Sequence, residues 1–293
     1  MFDCFSDALA DVPIDQEPRK FGHTLMGHPA LTLENLSRVI PALPRDSVMY
    51  SKSLLKNGDD FESTFRSRPE DRTIEETIES IRTSDSYIMV SSPEQDPTFA
   101  ELYKQLIGDV ETLMRECKAG SVAIDPKLFL FIASPDSVTP FHIDRYSTFL
   151  LQFRGSKKVC VSSPWDERVV SARDCEAYVA RRNTRLPWSS DIDAISTTFD
   201  FSPGEALHIP FAAGHHVRNG GQDVSISMSI IFNTKQSVAW RDALNFNYRS
   251  RRLLSPLGLS PSPVGARPWR DAAKAKAWTT AAAVLQANKG ARA

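Results

Sequence analysis

From about Lys127 onward the hydrophobic pattern changes period, and nothing else in the chain constrains the fold as strongly. LFLFIAS, STFLLQF, KKVCVSS, EALHIP and DVSISMSIIF are short runs rich in β-branched and aromatic residues, with turn residues between them. Such runs read as strands, whose side chains alternate between the two faces of a sheet. Several in succession need a second sheet or a closed barrel to cover their apolar faces, so the expected architecture is a mainly β sandwich or barrel of the jelly-roll type.

The flanks read as helix. Residues 1–30 carry Pro13, Pro18, Gly22, Gly27 and Pro29 with little periodicity and are expected to wrap the surface or add short strands. Thr32 opens the amphipathic stretch LENLSRVI, which Pro41 should end. Thr73 and Glu76 form a capping box, each side chain satisfying the other residue's backbone N–H, ahead of Ile74, Ile78 and Ile81. SYIMV reads as a strand, and Asp96-Pro97 opens a helix bearing Phe99, Leu102, Leu106, Ile107, Val110 and Leu113 at helical spacing. The expected organisation is an α-rich layer over 1–120, integral to the fold, then a barrel over 121–235 and C-terminal helices over 236–293. An insertion at 164–200 begins helically, turns polar, and is expected to line or lid a pocket.

Composition excludes several functions. With 35 Lys plus Arg against 36 Asp plus Glu, the net charge of −1 gives no overall drive toward nucleic acid or an anionic membrane. Cys4, Cys117, Cys160 and Cys175 show no CxxC spacing, which argues against a zinc ribbon, a thioredoxin-type site or a disulfide framework. Reduced thiols, no leader-like segment and no apolar span long enough for a bilayer give a cytoplasmic protein as the expectation.

The chemistry-bearing residues lie in TPFHID and GHHVRN. On a strand His142 and Asp144 point to one face and Ile143 to the other, so one imidazole and one carboxylate can converge on an ion. His215 or His216, on a later strand, can supply a third ligand. Two histidines and one carboxylate on one face of an octahedron make the facial triad of non-heme Fe(II) sites. An isolated His-x-Asp, however, also arises by chance.

Taken together, TPFHID, LLQFRGSKKV, GEALHIPFAAGHHVRN and SISMSIIF resemble the JmjC-type cupins, the cupin-like family that includes the factor-inhibiting-HIF-like hydroxylases. The resemblance covers about residues 120–235 well. It implies a double-stranded β-helix core and an Fe(II)- and 2-oxoglutarate-dependent oxygenase. His142, Asp144 and His215 match the iron ligands, and His216 then faces away as a supporting or packing residue; His208 is read as a pocket or packing residue. Lys157 matches the lysine that binds the distal carboxylate of 2-oxoglutarate, and Thr139 its hydroxyl partner. Thr148 and Ser229 stand where relatives place polar groups near the metal-binding end of the cosubstrate. A Gly155-Ser156 hairpin pairing Arg154 with Lys157 would put Lys157 on the face of Gln152, Leu150 and Thr148. Lys158 and Arg154 are its rivals, and all three as exposed turn cations is the plain alternative. Ala212-Ala213-Gly214 replace the aromatic residues expected before the histidine pair and imply a wider pocket.

The implied reaction consumes dioxygen and 2-oxoglutarate and hydroxylates a C–H bond of an unidentified protein side chain, amino acid or small molecule. Two other readings stand beside it. One is a cupin-like metal- or ligand-binding regulator without turnover. The other is a metal-dependent isomerase or dioxygenase of the wider cupin group, which has no need of Lys157. Trp240, Leu244, Phe246, Trp269, Trp278, Val284 and Leu285 load the C-terminal helices with apolar groups that must pack on the barrel or form a homodimer.

Overall fold

A computed structural model describes residues 2–6, 9–10, 13–52, 55–64 and 73–290. The strands are β1 (Arg19–Gly22), β2 (Val48–Lys52), β3 (Ser86–Ser91), β4 (Ile124–Ala133), β5 (Val138–Ile143), β6 (Ser147–Arg154), β7 (Lys157–Val161), β8 (Thr197–Phe201), β9 (Glu205–Ile209), β10 (Gly214–Asn219) and β11 (Ser225–Asn233). The helices are α1 (Leu33–Ala42), α2 (Phe61–Thr64), α3 (Ile74–Glu79), α4 (Pro97–Glu116), α5 (Ala172–Val179), α6 (Asp191–Ala194), α7 (Lys235–Leu254) and α8 (Pro268–Gly290).

The strands form two facing sheets, as a jelly roll requires. The larger has seven strands in the order β1-β9-β6-β11-β4-β3-β2, and the smaller has four in the order β5-β10-β7-β8. Side-chain alternation sorts the larger sheet's two faces. Ile88, Val90, Leu128, Leu130, Phe149, Leu151, Met228, Ile230 and Phe232 are buried in one core with Leu36 and Ile40 of α1 and Phe99, Leu102, Leu106 and Leu113 of α4. Their odd or even neighbours, among them Tyr87, Phe129, Phe131, Thr148, Leu150, Ser227 and Ser229, line a cavity between the sheets. Helix starts follow their caps: Thr32 and Asp96 accept backbone N–H groups of α1 and α4, and the Thr73–Glu76 box forms as read from the sequence. Pro41 sits inside the last turn of α1 rather than ending it. The start of the chain adds β1 to the edge of the larger sheet, antiparallel to β9.

The Gly155-Ser156 hairpin does not exist. Strand β6 pairs with β11 and β9, whereas β7 pairs with β10 and β8, so the turn carries the chain from one sheet to the other. Gly155 has φ +68°, and a Cβ there would lie 2.6 Å from the Val224 carbonyl oxygen. Both the left-handed backbone and the backbone contact demand glycine. Gly155→Ala is therefore expected to cost about 2 kcal/mol or more, read as a lowered urea midpoint with unchanged slope; an unchanged midpoint would mean that the crossing relaxes freely.

The insertion at 164–200 contains α5, α6 and the first part of β8, which joins the smaller sheet. Helices α7 and α8 pack on each other, with Leu244 and Ala275 buried, while Trp269 and Val284 stay exposed. The side chain of Leu285 lies outside the described residues. Among the described residues no helix is long and apolar enough to cross a membrane.

Candidate functional site

The smaller sheet places three ligating groups together. His142 on β5 lies directly across from His215 on β10, and Asp144 follows just beyond the end of β5. One ligand atom from each of His142, Asp144 and His215 falls within 4.8 Å of the others. The two Nε2 atoms stand 3.8 and 3.9 Å from the Asp144 carboxylate oxygens. With metal bonds of about 2.0–2.2 Å, ligands at right angles sit about 3 Å apart, so closing on an ion needs shifts of less than about 1 Å.

The surroundings fix the ligands in a competent form. His142 Nδ1 bonds the Pro140 carbonyl at 2.7 Å and His215 Nδ1 the Ala213 carbonyl at 3.0 Å. A ring that donates from Nδ1 leaves the Nε2 lone pair free for an ion. Burial, then the adjacent His215, pushes His142 down to about 3, so its ring is neutral at physiological pH. Thr148 Oγ1 donates to Asp144 Oδ2 at 2.7 Å and orients the carboxylate. Phe61 of α2 stacks on the His142 ring at 4.8 Å.

A bulge explains why Thr139 shares this cavity. Strict alternation would turn Thr139 away from the His142 face, but the β5–β10 register slips by one residue between the His215–His142 and Val217–Thr139 pairs. Pro140 lies in the slipped stretch, where a strand can spare a backbone donor. Thr139 therefore faces inward, 3.3 Å from the Tyr87 hydroxyl. Its companion Lys157 is buried, with Nζ donating to Ser227 Oγ at 2.9 Å. Burial pushes this ammonium down to about 7. The rivals point elsewhere: Arg154 pairs with Asp223 at 2.8 Å, and the exposed Lys158 lies 3.7 Å from Asp200.

The cavity holds about 190 Å³ and runs from the triad to Lys157. Sequence reading missed several of its residues. Tyr87, Ser227, Phe61, Arg145 and Tyr178 all line it. The first two follow from alternation in SYIMV and SISMSIIF. The others are brought in by tertiary contacts: Arg145 lies over the Tyr178 ring, bonds the Tyr178 carbonyl and pairs with Glu62. Ala212, Ala213 and Gly214 are not among the described residues that line this cavity. Ala212 and Gly214 line a separate cavity of about 300 Å³ on the other side of the strand, and a Cβ on Gly214 would meet the Phe141 ring at 2.7 Å. His208 is a packing residue, edge-on to Phe149. His216 faces out of the barrel and bonds Asp193 at 2.8 Å.

Comparison with known proteins agrees with this architecture. YcfD, a ribosomal oxygenase from Escherichia coli, superposes with a TM-score of 0.50 at 14% identity, over 92% of this chain and 61% of that one. A second structure of YcfD, in complex with cobalt and 2-oxoglutarate, gives a TM-score of 0.48 at 14% identity, over 92% and 62%. This chain thus spans less than two thirds of the length of those proteins, and at such identities the likeness concerns the fold. No curated protein matches. The family model described as Cupin-like domain matches residues 11–238, most of the chain and both sheets. On that match the chain belongs to the cupin-like domain family.

Proposed function

We propose that the protein is an Fe(II)- and 2-oxoglutarate-dependent oxygenase that hydroxylates a protein side chain, an amino acid or a small molecule. One observation carries this: a two-histidine, one-carboxylate set shares a small cavity with a buried lysine whose hydrogen-bond partner is the neutral Ser227. A buried ammonium of this kind calls for an anion. Membership of the cupin-like family and the fold shared with an oxygenase support the same reading.

In it, His142 and His215 bind the ion through Nε2 and Asp144 through a carboxylate oxygen. Lys157, with Ser227 and Thr139, holds the distal carboxylate of 2-oxoglutarate, and Thr148 keeps Asp144 in place. When bound, iron and 2-oxoglutarate supply the oxidising chemistry, consuming dioxygen and releasing succinate and carbon dioxide. Phe129, Phe131, Met89 and Ile231 keep water from the cavity, and Phe61 shields His142. Asp144 is the most exposed of the three ligands, so substrate approaches past it, beside Arg145 and Tyr146. A homodimer through the exposed face of α8 belongs to the same proposal, and a monomeric mass by light scattering at micromolar concentration would remove it.

The test is anaerobic titration with Fe(II) and 2-oxoglutarate. The weak visible charge-transfer band of the chelate is expected, followed on admission of oxygen by its decay with release of succinate. A band that persists in oxygen without succinate would identify a binding protein instead. No band at all would remove the proposal.

A further inference from the structure

The strand that carries His215 presents its next residue to the opposite face, and that face holds a second set of ligating groups. His216 on β10 lies directly across from Cys160 on β7, both pointing away from the barrel interior. Asp193 of α6 roofs the pair. His216 Nε2 is 2.8 Å from Asp193 Oδ1, and Cys160 Sγ is 3.7 Å from the same oxygen. Ligand atoms of all three residues lie within 4.8 Å of one another.

We propose that Cys160, Asp193 and His216 form a second metal site, selective for a thiolate-preferring divalent ion such as Zn(II). One thiolate, one imidazole and one carboxylate are a tetrahedral zinc donor set with the fourth position left to water. The set differs in kind from the first site, which has no sulfur. Tetrahedral bonds of about 2.0–2.3 Å place ligand atoms about 3.3–3.7 Å apart, so the Cys160–Asp193 separation already fits. The His216–Asp193 contact must open by less than about 1 Å. The three residues come from three elements of unequal exposure: the sulfur is buried at the floor, the imidazole nearly so, and the carboxylate is 41% exposed at the roof. An ion thus has a path in and a closed far side. Trp188 stands edge-on to the His216 ring and walls the site.

Binding replaces the thiol proton, which leaves to solvent as the sulfur–metal bond forms. Without an ion, burial above all, and the Asp193 carboxylate beside it, push the thiol up, while hydrogen bonds from the Thr198 and Ser196 hydroxyls favour the ionised sulfur. An occupied site ties the insertion, through α6, to β10 one residue from His215. It would brace the strand of the first site without touching its cavity.

Cobalt(II) titration of the full chain under anaerobic conditions tests this, because a thiolate bound to cobalt gives a near-ultraviolet charge-transfer band that imidazole and carboxylate alone do not. The band is expected in the parent and equally in Asp144→Ala, which separates this site from the first and from any turnover there. Cys160→Ser should lose the band and bind one ion fewer. Asp193→Asn, at an exposed position that does not endanger the fold, should weaken the band's half-saturation about tenfold or more. No band in the parent at saturating cobalt would overturn the proposal. So would a band retained in Cys160→Ser, which would assign it to another cysteine, or half-saturation unchanged in Asp193→Asn.

Discussion

Lys157→Met is expected to stabilise the ligand-free fold and to abolish 2-oxoglutarate binding. The ammonium is buried and its pKa falls from 10.5 to about 7. Below about pH 7 the lysine is charged in both the folded and unfolded chains, and the folded protein bears the whole cost of burying the charge. Between about 7 and 10.5 the unfolded chain holds the proton and the folded one does not, so parent stability rises with pH across that window. Above it the charge is gone from both states. Methionine carries no charge and nearly fills the lysine stem's volume, so its advantage is largest below pH 7, roughly 2–5 kcal/mol, and fades as pH approaches 10.5. Loss of the bond to Ser227 takes back about 1 kcal/mol. Urea unfolding at several pH values measures the gain. In parallel, 2-oxoglutarate should raise the melting temperature of the parent and leave that of the variant unmoved. A variant that is no more stable at pH 6 and binds 2-oxoglutarate as the parent does would place the carboxylate anchor elsewhere.

That trade of stability for a ligand was only half legible in the sequence. Lys157 is singled out by the family resemblance, but the local argument for its inward direction fails. A two-residue Gly-Ser turn between two strand-like runs reads as a hairpin, yet β6 and β7 belong to different sheets. The lysine still points inward because β7 aligns with β10, a pairing set by residues some sixty positions away. Short-range signals fared well where one face is buried and the period is unbroken. Ser227 and Ser229 of SISMSIIF face the cavity while Met228, Ile230 and Phe232 face the helices. His142 and Asp144 come together as their spacing suggests, although Asp144 lies just past the end of β5. Alternation alone does not place Thr139, because a bulge resets it at Pro140, nor the side chains that arrive from distant segments, as Phe61 and Tyr178 do. Of the small residues before the histidine pair, Gly214 makes room for the Phe141 ring behind the strand, and none of the three lines the cavity that holds the triad.

The largest loss of function is expected from Asp144→Ala. The carboxylate contributes the site's only anionic ligand among the described residues near the ion position, with one oxygen facing each histidine. Removing it leaves two imidazoles, and two ligands hold a divalent ion far more weakly than three. Affinity for Fe(II) or Mn(II) at this site should fall by more than about 100-fold, beyond the 10–100-fold typical when only a supporting hydrogen bond is lost. Thr148→Val, which deletes the 2.7 Å bond to Asp144 Oδ2 and keeps the ligand, should fall within that lower range. The fold should survive both changes. The Asp144 side chain is 25% exposed, and its structural role is carried by the backbone, whose carbonyl accepts the Ala212 N–H at 3.1 Å. Calorimetric Mn(II) titration of parent and variants, with unfolding midpoints as the control, orders the three proteins. Equal affinity in parent and Asp144→Ala, with both folded, would mean that the ion is not held between β5 and β10.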